Sequence, residues 1–339
     1  MRPKTVITNW VHGDVIEALA PHCAVVANHD RDRSMSRGDI VARGADADAI
    51  LAFMPDSFDE ALLSELPRLR ILACALKGYD NFDVEACTRR GVWVTIVPDL
   101  LTVPTAELTV GLMIALARNV LNGDRHMRTG AFRGWRPRFY GSGLAGSTVA
   151  IIGMGAVGLA VARRLGGFGA RMLYADDRTL DSAIERDLGL QSASLHEALA
   201  VSDFVVLTLP LSARTKGLFD AGTIARMKPG GYLVNPGRGS LVDEEAVADA
   251  LDSGHLAGYA ADVFEMEDWA RPDRPERVSQ RLLDHVERTC LTPHIGSAVD
   301  GVRRDIAMAA AANIVQVLRG QRPENAINDV APDCPPHPS

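Results

Sequence analysis

Short apolar runs rich in β-branched residues alternate with stretches of helical hydrophobic spacing from the first residues onward: "KTVIT", "GDVIEALA", "CAVVAN", "DIVARG", "AILAFM", "DEALLSEL", "RILACAL", "DVEACTRRG" and "VWVTIV". When a helix separates two strands it carries the chain back to the starting edge, so the strands pair in parallel and the helices cover both faces of the sheet. A second alternation starts near Thr148, with strand candidates "TVAIIG", "RMLYADD", "DFVVLTLP", "GYLVNPG", "AGYAADVF" and "TCLTPHIG". The pattern predicts an α/β protein with two doubly wound parallel-sheet domains. Between the alternations, "TAELTVGLMIALARNVLNGDRHMR" has the leucine and valine spacing of one long helix, and "VRRDIAMAAAANIVQVLRG" predicts another near the end of the chain. If the later helix returns to the first sheet, residues 1–100 and 297–330 form one domain, residues 101–296 a second inserted into it, and the proline-rich residues 331–339 a flexible tail.

Composition narrows the class without naming a chemistry. A chain of 339 residues, 47% hydrophobic and 23% charged, can build two separate cores, which sets it apart from disordered and fibrous proteins. A net charge of −7 without a lysine or arginine block gives no footprint for nucleic acid. The longest apolar run is broken by glycines, so no membrane span is expected and a cytoplasmic location is. Five scattered cysteines (Cys23, Cys74, Cys87, Cys290 and Cys334) with no CxxC pair read as reduced packing thiols, and no metal site is expected.

The first chemical signal is "VAIIGMGAVG", which sets Gly153, Gly155 and Gly158 in a G-x-G-x-x-G turn between a strand and the helical "LAVARRL". Glycines there permit a tight turn and let the backbone approach a pyrophosphate at the helix N-terminus. Alone the motif is weak, but the next strand ends in "YADD", placing Asp176 18 residues beyond Gly158, the last glycine, where an acid holds the adenosine ribose hydroxyls. Asp176 and Asp177 repel a 2′-phosphate, so the expected cofactor is NAD rather than NADP, although Arg178 stands beside them.

Three further polar residues fall at strand-end turns: Arg238 in "NPGRGSLVD", Glu267 in "DVFEMED" and His294 in "TPHIGSA". Each alone has an ordinary structural reading. Together, after consecutive strands of a dinucleotide-binding pattern, they converge where such folds bind substrate. A fourth anomaly is Lys77 in "ALKGYDN", an ammonium group at the carboxyl end of a strand.

In these motifs the sequence resembles the D-2-hydroxyacid dehydrogenase family, and "AFMPD", "CALKGYDNFDV", "VPDLLTVPTAEL", "FRGWRPRFYG" and "GYAADVFEMEDWARPDRP" resemble its phosphite dehydrogenase (phosphonate dehydrogenase) branch across about residues 4–328. The resemblance implies a Rossmann NAD domain inserted into a flavodoxin-like substrate domain, a homodimer, and oxidation of the small inorganic oxyanion phosphite to phosphate. It assigns Arg238 to the substrate anion, His294 to acid–base work and Glu267 to orienting the histidine. It further implies Lys77, Gly78, Met54, Leu101, Trp135, Tyr140, Ser297 and Arg303 as substrate-binding residues. The NAD site would comprise Gly153, Met154, Gly155, Ala156, Val157, Gly158, Asp176 and Asp177, joined by Thr105, Leu209, Pro210, Pro236, Gly237, Asp262 and Gly296. Phosphite has no carbon skeleton for apolar contact and must be held by charge, which gives Lys77 a purpose. Two alternatives remain open: a dehydrogenase reducing glyoxylate, hydroxypyruvate or a similar acid, and an NAD-sensing corepressor on the same fold.

Overall fold

A computed structural model describes residues 2–330. The tail expected at 331–339, with Cys334, lies outside the described residues. The chain divides into two compact units: one built from the segment ending at Leu101, Trp269–Pro272 and the segment from Ala298, the other from Thr102–Asp268 and Asp273–Ser297.

The first unit is a five-stranded parallel sheet of β1 (Lys4–Ile7), β2 (Ala24–Ala27), β3 (Ala49–Ala52), β4 (Ile71–Cys74) and β5 (Trp93–Thr95), in the order β2-β1-β3-β4-β5. This is the flavodoxin-like order, whose switch point lies between β1 and β3. Successive residues of β3 and β4 enter opposite cores: Ile50, Ala52, Leu72 and Cys74 face one, Ala49, Leu51, Ile71 and Ala73 the other. That period of two, apolar on both faces, is why these strands read as continuous hydrophobic runs. The helix Asp300–Leu318 lays Ile306, Ala307, Ala310, Ala311, Ile314 and Val317 into the second of these cores. The chain then passes β5, where Asn328 accepts from Val94 N at 2.8 Å and donates to Val92 O at 2.9 Å.

The second unit is a seven-stranded parallel sheet of β6 (Thr148–Ile152), β7 (Arg171–Ala175), β8 (Leu190–Ser192), β9 (Phe204–Leu207), β10 (Gly231–Asn235), β11 (Leu256–Ala261) and β12 (Thr289–Leu291). Its order, β12-β11-β10-β9-β6-β7-β8, reverses direction between β6 and β9, beside the glycine turn.

Two sequence expectations change. Strand β8 was not anticipated: it has three residues, and only Leu190 among them is buried. The helix expected to run unbroken through "TAELTVGLMIALARNVLNGDRHMR" is two helices, Thr102–Ala117 and Val120–Arg128. Asn119 breaks it by adopting a left-handed backbone, φ 53°, which asparagine tolerates better than most residues. Its side-chain oxygen accepts from Asn122 Nδ2 at 2.9 Å, restarting the chain in a new direction. Among the described residues no helix is long and apolar enough to cross a membrane, and Cys23, Cys74, Cys87 and Cys290 are buried free thiols.

Candidate active site

The glycine turn follows β6. Gly153 has φ 97°, and a Cβ there would sit 3.0 Å from Leu209 N; at Gly158 it would sit 2.2 Å from Gly153 O. Those two glycines are demanded by close packing of turn, helix and β9. Gly155 differs: nothing lies within 4 Å of a Cβ built there, and as N-cap of the helix Ala156–Leu165 it offers no side-chain cap. The first-turn amides of that helix, which begins at Ala156 and Val157, therefore face open space with the positive end of the helix dipole, the arrangement a pyrophosphate requires. Asp176, at the end of β7, accepts Met154 N at 2.6 Å through one oxygen and Arg178 N at 2.8 Å through the other. Each oxygen keeps a lone pair for a ribose hydroxyl. The residues present thus fit a dinucleotide: Gly153–Gly158 would lie under its pyrophosphate and Asp176 would accept from its ribose hydroxyls.

His294 stands beyond β12 with φ 54°, a left-handed backbone that a histidine adopts at a cost of about 1–2 kcal/mol. Asp262, 1% exposed at the end of β11, holds it there. The Asp262 carbonyl accepts His294 N at 2.8 Å. Its carboxylate accepts Thr292 Oγ1 at 2.6 Å, Ile295 N at 2.8 Å and Gly296 N at 2.7 Å. Burial nevertheless raises the Asp262 carboxyl above the usual range. Gly296 is held close: a Cβ would meet Asp262 Oδ2 at 3.0 Å and Thr105 Oγ1 at 3.2 Å. Asp262, expected at the cofactor, is thus in this structure first the clamp of the histidine turn.

The imidazole Nδ1 of His294 lies 2.6 Å from Glu267 Oε2. Glu267 is itself fixed, its other oxygen accepting Phe264 N at 2.8 Å. With Nδ1–H donating to the carboxylate, Nε2 is left as the free proton acceptor. Arg238 follows β10 in a turn tied by Asn235, which donates to Arg238 O at 2.8 Å and accepts Gly237 N at 3.1 Å. The next residues are pinned by Asp268, 6% exposed, which accepts both the backbone N and the hydroxyl of Ser240. Adjacent acids of one segment therefore serve two turns, Glu267 the histidine and Asp268 the arginine. Of the expected trio, His294 and Glu267 are in contact and Arg238 stands in its own strand-end turn; sequence reading did not name Asn235, Asp268 or Thr292, for which the signal available was a polar residue next to each strand end.

Among the other expected residues of this unit, Leu209 and Pro210 follow β9 and Gly237 packs against Leu207 O and Leu209 O. Pro236 is buried beside it, and Ser297 is half-buried. Trp135 and Tyr140 lie on an irregular arm with their side chains at the surface, 76% and 75% exposed, so neither is enclosed within this unit. In the first unit, Lys77 and Gly78 lie half-buried just beyond β4, Met54 packs at the rim of the core beyond β3, and Leu101 packs on the core under the helix Asp300–Leu318. Arg303 is in the first turn of that helix, and burial lowers its pKa from the ordinary guanidinium value.

Comparison with known proteins agrees with this geometry. Residues 110–296 match the family described as D-isomer specific 2-hydroxyacid dehydrogenase, NAD binding domain. A glyoxylate reductase of Pyrococcus furiosus is 37% identical over 333 residues, 97% of this chain and 96% of that protein. The crystal structure of the TT0316 protein from Thermus thermophilus superposes with a TM-score of 0.85 at 32% identity, covering 96% of this chain and 100% of that one. An NADPH-dependent glyoxylate/hydroxypyruvate reductase from Sinorhizobium meliloti, solved with NADP and malonate, gives 0.81 at 28% identity, covering 96% and 97%. With its two parallel-sheet domains, its glycine turn and its match over more than half its length, the chain belongs to the D-isomer specific 2-hydroxyacid dehydrogenase family, as an NAD-dependent oxidoreductase.

Proposed function

We propose that the substrate of this dehydrogenase is phosphite, oxidised to phosphate with NAD as acceptor. The observation that carries the reading is Lys77, a cation in the "ALKGYDN" turn beyond β4, where a 2-hydroxy acid needs no second positive charge. In this reading Lys77, Arg238 and Arg303 hold the dianion. Bound NAD supplies the two-electron acceptor. Water oxygen bonds to phosphorus, the P–H bond breaks with its electron pair leaving as hydride, and the proton of the water passes to His294 Nε2. Glu267, 2.6 Å from Nδ1, keeps that imidazole in the required tautomer and stabilises it once protonated. Fixed donors around developing negative charge contribute most of the rate in such sites. The reading includes a homodimer, to be checked by sedimentation.

A second reading is favoured by a specific finding. The Pyrococcus furiosus relative, aligned over 97% of this chain, is named a glyoxylate reductase, and the names of relatives support reduction of a small 2-oxo acid more directly than they support phosphite oxidation. There His294 is the acid that protonates the carbonyl oxygen, and Arg238 holds the carboxylate. One pair of assays separates the two. NADH formation from NAD and phosphite, absent with phosphate, is the expected result; NADH consumption with glyoxylate or hydroxypyruvate and no turnover of phosphite establishes the second reading and discards the first.

A further inference from the structure

The two acids at the end of β7 do not stand alone. Asp177, 75% exposed, is ion-paired with Arg214 at 3.1 Å, and the guanidinium of Arg178 lies 3.8 Å from Asp176. Arg214 arrives from the segment after β9, which pairs with β6 on the side opposite β7, so its side chain spans the end of the central strand that carries the glycine turn. Its backbone is fixed. Thr215 Oγ1 donates to Pro210 O at 2.7 Å and accepts Ser212 N at 2.8 Å, and Lys216 N donates to Ser212 O at 2.9 Å. The turn that presents Arg214 therefore begins at Pro210, among the residues expected at the cofactor.

This arrangement changes the charge that an adenosine ribose meets. Two guanidinium groups beside the two carboxylates offset part of their charge, so the repulsion on which exclusion of a 2′-phosphate would rest is reduced. An exposed Arg–Asp pair contributes little, about 0–1 kcal/mol, so Arg214 can exchange Asp177 for a better partner at small cost. A phosphate dianion is that partner, since it accepts two parallel N–H bonds from a guanidinium and carries the larger charge. Asp176, held by Met154 N and Arg178 N, stays in place to accept from the ribose hydroxyls when no phosphate is present.

We propose that Arg214, with Arg178, forms a 2′-phosphate subsite, so that the protein accepts 2′-phosphorylated as well as unphosphorylated nicotinamide dinucleotides. The inference rests on the dinucleotide site alone and is independent of which acid anion is the substrate.

The test is equilibrium binding without substrate, followed by the fluorescence of NADH and NADPH on the full chain. The expected result is a dissociation constant for NADPH within about tenfold of that for NADH. Arg214→Ala should then weaken NADPH by about tenfold or more, the low end for a charge-assisted hydrogen bond, and move NADH less than about twofold. Arg214→Lys should restore part of the loss, and Asp177→Asn, which releases the arginine, should tighten NADPH. Added salt should weaken NADPH more than NADH. Wild-type protein that binds NADH but discriminates against NADPH by more than about a hundredfold overturns the proposal, as does an Arg214→Ala variant that shifts both ligands equally or neither. Failure of both ligands to bind would remove the dinucleotide site on which it stands.

Discussion

At the scale of single residues, Lys77 separates the two substrate readings. A hydrogen bond between charged groups is worth about 1.5–3 kcal/mol, and each 1.36 kcal/mol is about tenfold, so Lys77→Ala should lower kcat/KM for phosphite by about ten- to a hundredfold. Lys77→Arg should recover only part, because a planar fork replaces a point charge. Unchanged phosphite kinetics in the alanine variant would leave the lysine a solvent-facing residue and favour the 2-oxo acid. Asp56 makes a different prediction, about stability. It is 3% exposed beyond β3, accepts Thr8 Oγ1 at 2.5 Å and Phe53 N at 2.7 Å, and burial pushes its pKa up to about 6. The folded state therefore holds this proton more tightly than the unfolded chain does. Its stabilising effect is complete below the ordinary aspartate range, declines as pH rises from about 4 to about 6, and is gone above that. The shift of about two units corresponds to about 3 kcal/mol. Asp56→Asn removes the buried charge while its amide oxygen can accept the same two hydrogen bonds, so urea midpoints should rise at pH 8 and lose their decline between pH 4 and 6. A variant whose midpoints keep the wild-type pH dependence would show that another group titrates.

Turns, strands and helices define the next scale, and here glycines with different surroundings give opposite outcomes. A Cβ at Gly239 would lie 1.9 Å from Phe264 C and 2.1 Å from its O, backbone atoms that cannot step aside. Gly239→Ala should cost about 2–4 kcal/mol of stability and displace the Arg238 turn, lowering both the denaturation midpoint and turnover. A Cβ at Gly155 meets nothing within 4 Å, so Gly155→Ala should leave the midpoint in place and weaken NAD binding, because the methyl group enters the space of the pyrophosphate. Equal effects of the two substitutions on stability would contradict this division. The same contrast marks what the sequence made legible. All five strands of the first sheet were visible: β1, β3, β4 and β5 as buried apolar runs, and the edge strand β2, which buries none of its residues fully, through its β-branched Val25 and Val26; six of the seven in the second sheet were visible as buried runs. Strand β8 was not, because Gln191 and Ser192 are exposed and its pairing with β7 is decided by tertiary position. The Asn119 break was hidden for a related reason: leucine spacing continues through it, and the left-handed backbone is stabilised by Asn122 and by Tyr140 O, 21 residues ahead. The glycine turn and the strand-end positions of Arg238, Glu267 and His294 were readable from the sequence. The carboxylates and amides that fix them, on Asp262, Asp268 and Asn235, acquire their meaning only when distant segments meet.

For the whole molecule, the consequence of two units with their own cores is that ligand and proton act on different parts of the chain. Each core is a closed set of buried side chains on its own sheet, and the second unit contains every residue assigned to the dinucleotide. A ligand that binds only the folded state stabilises it by RT ln(1 + [L]/Kd), about 2.7 kcal/mol at a hundredfold excess over Kd. NAD should therefore slow backbone hydrogen exchange in the glycine turn, in the segment carrying Asp176 and around His294, and raise the unfolding temperature of the second unit by a few degrees. Exchange in β1, β3 and β4 should respond instead to pH between about 4 and 6, through Asp56, and this response should vanish in Asp56→Asn. Peptide-resolved exchange on the full chain, with and without NAD at pH 5 and pH 8, reads both effects at once. If NAD protects the first sheet as strongly as the second, the units unfold as one cooperative body and the separation argued from their cores is wrong. Protection confined to the second sheet means that each unit carries its own stability, with the dinucleotide reinforcing only the unit that grips it.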